Sequence, residues 1–169
     1  MNRTVVAIGR LLWMLPLLGA MSACAQQAAP ASAPQRPPYG PAINLDTAKK
    51  VAAAAVAEAR KNNWNVAVAI TDNHGTLVYY EMQDDTQTAS ATVAIDKART
   101  AAMFRRPTKM FEDGIAGGRN ALLGMKGALP IEGGIPVVVN GKCVGAVGVS
   151  GLTSPQDAQV AQAGLDALK

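Results

Sequence analysis

The sequence has few of the residue types that many active sites use. It contains one histidine and two cysteines among 169 residues, and 4% of its residues are aromatic. Cys24 lies in an N-terminal export signal described below, so only His74 and Cys143 are left as imidazole and thiol groups. Two such groups cannot fill a Cys/His zinc site. A Ser-His-Asp hydrolase would have to use His74, whose surroundings lack the usual context, and no Walker-type phosphate loop occurs. Zinc binding, triad hydrolysis and nucleotide hydrolysis are therefore disfavoured.

Residues 1–24 have the composition of a secretory signal peptide. Arg3 and Arg10 form a positive n-region, residues 11–21 form an apolar run too short to span a membrane comfortably, and small residues follow. We therefore expect an exported protein, either periplasmic or lipid-anchored to the cell envelope.

Two outcomes stay open at the cleavage site. The triplet at residues 23–25 is Ala-Cys-Ala, which suits cleavage for soluble export. Residues 21–24 resemble a bacterial lipobox, with Met21 in place of the usual leucine, and would make Cys24 a lipidated membrane tether. Cys143 has no partner for an intrachain disulfide in either case.

Residues 25–44 are rich in proline, alanine and glutamine and have no period that could bury a face. This composition predicts a flexible tether, followed by one folded domain at residues 45–169. The whole chain carries a net charge of +4, but the loss of Arg3 and Arg10 leaves 14 basic against 12 acidic residues. The low aromatic content and the export signal argue against a nucleic-acid partner.

Basic residues are concentrated in residues 90–126, which contain seven lysines and arginines against three acidic residues. This local excess suits a small anionic ligand. The alternative interpretation is a solvated helix face.

Alanine-rich apolar stripes at helical spacing predict helices over residues 47–61, with Asp46 as N-cap, and over residues 90–106, stopped by Pro107. A short helix capped by Thr108 is predicted next, and residues 120–132 read as a loop or lid. A last helix opens with Ser154 as N-cap and with Asp157 placed to favour the helix dipole.

Two hairpins separate these helices. Residues 65–71 and 76–82 alternate around the turn Asp-Asn-His-Gly, and residues 135–139 and 142–149 flank an Asn-Gly pair. The resulting order predicts an α+β domain with an antiparallel sheet of four to five strands and helices packed on it.

Three strings resemble the haem-binding-protein-like GlcG/HbpS family, whose domain also occurs at the C-terminus of PduO-type proteins: VAITDNHGTLVYYEMQD, AIDKARTAAMFRRPT and EGGIPVVVNGKCVGAVGVSGLTSPQDAQVAQAG. The resemblance implies a profilin-like fold with helices on both faces of the sheet, and a homodimer or higher homo-oligomer. It also implies binding of haem or a related tetrapyrrole in some members, whereas others accompany pathways of small-molecule breakdown.

The residues themselves suggest the site, because no agreed ligand motif of that family can be placed on this sequence. His74 is the candidate axial ligand of haem iron, with an ordinary turn residue as the alternative interpretation. Cationic side chains could pair with the haem propionates. The alternative interpretation of Lys97 is an ion pair with a neighbouring acidic group. These cations are Lys97, Arg105, Arg106 and Lys109.

Two further candidates are Glu132, which precedes a predicted strand, and Ser150, at a predicted strand end in the glycine-spaced run GAVGVSG. That run also predicts a strand approached closely by alanine-rich helices.

The leading hypothesis is an exported haem-binding, haem-sensing or haem-storage protein that is not an enzyme. The alternative is an enzyme or accessory protein acting on a small organic acid, with Lys97, Glu132 and Ser150 lining its pocket.

Overall fold

The computed structural model describes residues 35–169. The predicted signal peptide, including Cys24, and the first ten residues of the predicted tether lie outside the described residues. The elements follow the predicted order. They are α1 (Leu45–Lys61), β1 (Ala67–Asp72), β2 (Leu77–Met82), α2 (Ser90–Phe104), α3 (Lys109–Ala116), a short 3-10 helix (Asn120–Gly124), β3 (Gly134–Val139), β4 (Lys142–Ser150) and α4 (Ser154–Asp166).

The four strands form one antiparallel sheet in the order β2-β1-β4-β3. The central β4 pairs with β1 on one side and with β3 on the other. The predicted α+β class is confirmed, with the lower of the two expected strand numbers.

Strand β1 and the residue before it show how the two faces are built. The side chains of Val66, Val68 and Ile70 pack with α1 and α4 in the main hydrophobic core. The intervening Ala67 and Ala69 pack against α2 on the opposite face. This two-residue alternation places helices on both sides of the sheet.

Glycines in β4 allow α2 to lie directly on the sheet. A Cβ atom at Gly148 would overlap the carbonyl oxygen of Ala94 and the backbone of Ala98, both in α2. The predicted close approach of an alanine-rich helix to the glycine-spaced strand is therefore confirmed.

The helix ends differ from prediction in three places. Helix α1 is capped by Asn44, whose side-chain oxygen accepts a hydrogen bond from Thr47 N at 2.8 Å, and not by Asp46. Helix α2 ends at Phe104 because Arg105 adopts a left-handed conformation with φ of 52°. The residue before α4 is Thr153, so the predicted cap Ser154 is the first helical residue.

The end of the predicted tether is packed on the domain, contrary to expectation. Residues 37–43, which we call the strap, lie beside the start of β4. Pro38 O accepts a hydrogen bond from Cys143 N, Gly40 N donates to Cys143 O and Ile43 N donates to Val144 O, each at 2.8 Å. Ile43 is buried in the core. Backbone pairing to β4, which side-chain periodicity does not reveal, holds this segment.

None of the helices within residues 35–169 has both the length and the hydropathy needed to cross a membrane.

Replacing Gly148 by alanine should destabilise the domain by about 1–3 kcal/mol, because the new methyl group would overlap the α2 backbone. The midpoint of urea unfolding measures this loss. Gly124→Ala is the matched control, since a Cβ there meets no atom within 4 Å, and it should shift stability by less than about 0.5 kcal/mol. Equal effects of the two substitutions would contradict the close packing.

Candidate ligand-binding cleft

The turn between β1 and β2 is built by its own side chains. Asp72 Oδ1 accepts hydrogen bonds from His74 N at 2.9 Å and from Thr76 N at 2.8 Å. Gly75 has φ of 86°, a conformation that glycine adopts without strain. These bonds use the backbone of His74 and leave its imidazole exposed at the turn.

Helix α2 lies under this turn. A Cβ atom on Gly75 would come within 2.8 Å of Arg99 Cγ and 3.3 Å of Met103 Sδ. Arg99 Nε also donates a long hydrogen bond of 3.4 Å to Gly75 O. The C-terminal half of α2 therefore fixes the position of the His74 turn.

A cleft of about 280 Å³ lies where the turn, α2 and the strap meet, and Tyr39, Asn73, His74 and Met103 line it. Tyr39 Oη donates a hydrogen bond to Met103 O at 2.7 Å, which joins the strap to α2. Asn73 Nδ2 donates to Gly40 O at 2.7 Å, which joins the strap to the turn. The Asn73 Oδ1 atom is buried without a hydrogen-bond partner among the described residues.

Arg105 contacts Tyr39, one of the residues that line this cleft. Its guanidinium carbon lies 4.4 Å from the centroid of the Tyr39 ring, and Nη1 donates a hydrogen bond to Pro37 O at 3.2 Å. No carboxylate in residues 35–169 forms a salt bridge with it. Its Nε is buried without a partner in that part of the chain. Arg105 thus contributes a positive charge that is not neutralised locally.

The other predicted cations at the end of α2 and in α3 lie in a second place. Arg106 stacks on Phe111 at 5.4 Å from the ring centroid. Lys109 Nζ lies 2.7 Å from an Asp113 oxygen and 4.0 Å from a Glu132 oxygen. The hydrogen bond that Lys109 donates to Asp113 is the main cause of the raised pKa of Lys109. The basic segment is therefore divided between the cleft and α3, and it does not form one continuous wall.

Lys97 is buried, with 1% of its surface exposed, and it does not reach the cleft. Its Nζ donates hydrogen bonds to Asp157 Oδ2 at 2.7 Å and to Val149 O at 3.0 Å. Burial raises the pKa of the Asp157 carboxyl, against the opposing effect of the Lys97 hydrogen bond. The structure therefore shows the ion pair that was the alternative interpretation of Lys97. It links α2, β4 and α4.

Ser150 is also buried, and its hydroxyl donates a hydrogen bond to Ser90 Oγ at 3.2 Å. The contact joins the end of β4 to the start of α2. Of the seven predicted site residues, His74 lines the cleft and Arg105 stacks on its lining residue Tyr39. Sequence reasoning missed Tyr39, because the predicted tether contained it, and Asp157, because its partner is 60 residues away.

Comparisons with known proteins agree with the fold. The family model described as "Haem degrading protein HbpS-like" matches residues 43–166. Protein GlcG of Escherichia coli K12 is 46% identical over 108 residues, which are 64% of this chain and 81% of that protein.

Solved structures give the same result. A double mutant of Streptomyces reticuli HbpS superposes with a TM-score of 0.71 at 32% identity, covering 85% of this chain and 99% of that chain. The PduOC:Heme complex superposes with a TM-score of 0.68 at 27% identity, covering 75% and 94%.

Lys97→Met should destabilise the domain by about 3–5 kcal/mol, because it leaves the Asp157 carboxylate buried without its cation. Lys109→Met is the control. Its pair with Asp113 is about half exposed on both sides, so its loss should cost much less than the loss of the buried pair. Denaturant unfolding measures both. The double variant Lys97→Met/Asp157→Leu should recover much of the loss. A single Lys97 variant as stable as the control would show that the pair is not buried.

Proposed function

This chain belongs to the HbpS-like family, and from that premise we propose that its domain binds haem or a related tetrapyrrole in the cleft beside the β1–β2 turn. One observation carries the proposal. The only histidine of the sequence lines a cleft whose lining residue Tyr39 stacks with Arg105, and no carboxylate within residues 35–169 forms a salt bridge with that arginine. The PduOC:Heme complex, a structural relative, supports the ligand class.

The residues of the cleft fit the chemical groups of haem. Imidazole is a common ligand of haem iron, and His74 offers one that is exposed. The two propionates of haem need cations, and Arg105 has guanidinium N–H groups to donate. The ring of Tyr39 and the thioether of Met103 offer apolar surface to the macrocycle.

The size of the cleft limits how the ligand sits. A volume of about 280 Å³ is just below the usual range for small-molecule sites, so we propose that one edge of the macrocycle enters and the rest projects outward. Self-association, which the family resemblance implies, would cover the projecting part. Bound haem would supply a redox-active iron. The residues of this chain would orient the macrocycle and balance its carboxylates.

The proposal uses fewer residues than the sequence suggested. Lys97 and Ser150 are buried in contacts that hold the domain together. Near α3, Arg106 stacks on Phe111, and Lys109 lies between Asp113 and Glu132. We therefore assign ligand binding to His74 and Arg105, with no part for the other five.

Hemin added to the purified protein should give a saturable complex with a shifted Soret band. His74→Ala and Arg105→Met should each weaken hemin binding by about tenfold or more, because each removes a strong polar contact. Arg119→Met is the control, since it removes the same charge from an exposed position outside the cleft and should bind hemin like the parent.

Absence of a saturable complex with the parent protein would refute haem binding. If the parent and the His74→Ala variant gave identical affinities and spectra, the axial role of His74 would be wrong.

We also propose that the domain acts outside the cytoplasm, on the composition of residues 1–24. Fractionation of a bacterial host that expresses the full chain should find the domain in the periplasm or the envelope. Labelling with a fatty acid distinguishes the two cleavage outcomes: incorporation that is lost in Cys24→Ser indicates a lipoprotein. A domain found only in the cytoplasm would contradict export.

A further inference from the structure

We propose that Tyr39 is a ligand-contacting residue and that the strap which carries it is coupled to ligand binding. This inference rests on the proposed function, because the ligand is the same tetrapyrrole. The family model begins at residue 43, so the strap up to Ala42 lies outside the segment on which family membership rests. Its assignment comes from the contacts of this chain alone.

The two ends of the strap are held differently. At the C-terminal end, Ile43 is buried in the core and its amide donates to Val144 O. At the N-terminal end, Tyr39 is 46% exposed, and Pro38 and Gly40 form single backbone bonds with Cys143. The end that borders the cleft is therefore held by surface contacts and not by burial of a side chain in the core.

The side-chain contacts of that N-terminal end involve residues at the cleft. Tyr39 Oη bonds to Met103 O, the Tyr39 ring stacks with Arg105, and Gly40 O accepts from Asn73. Met103 and Asn73 line the cleft together with Tyr39, on which Arg105 stacks. Undocking of the strap would remove one wall of the cleft and would release Arg105 from its two observed partners, Tyr39 and Pro37.

Ligand binding and strap docking are therefore thermodynamically linked. A ligand that binds only when the strap is docked stabilises the docked state. The factor by which the ligand favours docking is also the factor by which loss of docking lowers the affinity for the ligand. The exposed part of the Tyr39 ring offers a flat apolar surface, and Arg105 places a cation next to it. This combination favours a planar aromatic molecule with carboxylates over a small aliphatic acid.

Two variants of the full chain separate the ring from the hydroxyl. Tyr39→Ala should weaken hemin binding by about tenfold, because it removes the ring surface. Tyr39→Phe should bind hemin within about threefold of the parent, because the ring remains. Tyr79→Phe is the control, since it removes a tyrosine hydroxyl bonded to Glu81 and should leave hemin binding unchanged.

Hydrogen exchange measured by mass spectrometry reports on docking of the strap in the absence of ligand. The amide of Gly40, bonded to Cys143 O, reports on docking of the strap. Its exchange in the hemin-free protein should be about tenfold faster in Tyr39→Ala than in the parent, because the Met103 and Arg105 contacts are lost. Hemin should slow it in the parent and should slow it much less in Tyr39→Ala.

The outcomes distinguish this inference from the proposed function. If the parent binds hemin and Tyr39→Ala binds it equally well, Tyr39 is not a contact and the inference is wrong while haem binding stands. If hemin binds the parent but leaves the exchange of Gly40 unchanged, the coupling is wrong. If the parent binds no hemin, the proposed function fails, and the ligand contact fails with it.

Discussion

The structure depends on the direct contact between the alanine-rich face of α2 and the glycines of β4. Because Gly148 has no side chain, the backbone of α2 lies against the sheet at Ala94 and Ala98. This close approach of α2 to the sheet also sets the position of the C-terminal end of the helix. Met103 then lies under the β1–β2 turn, and Arg105, in its left-handed conformation, turns toward the strap.

The buried pair of Lys97 and Asp157 adds a second constraint to the same packing. It joins the middle of α2 to the first turns of α4 across the end of β4. A buried ion pair is often no more stabilising than well-packed apolar residues, but the loss of one partner is costly. The pair therefore makes the helix positions mutually dependent. A residue that the sequence suggested for ligand binding acts instead in the scaffold that supports the cleft.

Patterns within short stretches allowed most of the fold to be predicted. The two hairpins, the order of elements and the packing of alanine against glycine follow from alternation, turn chemistry and helical spacing. Such local patterns predicted fewer of the residues at the candidate site. Asp157 is far from Lys97 in sequence, and Tyr39 lies in a proline-rich segment held by backbone bonds to β4. Contacts of this kind arise from tertiary structure, which no local period records.

We propose that the cleft between the β1–β2 turn, α2 and the strap is the ligand site. A crystal structure of the full chain with hemin would show where the ligand binds. We expect hemin in this cleft, with the His74 imidazole bonded to iron and a propionate paired with Arg105. Hemin bound instead beside α3, among Lys109, Arg106 and Glu132, would show that the ligand site lies elsewhere.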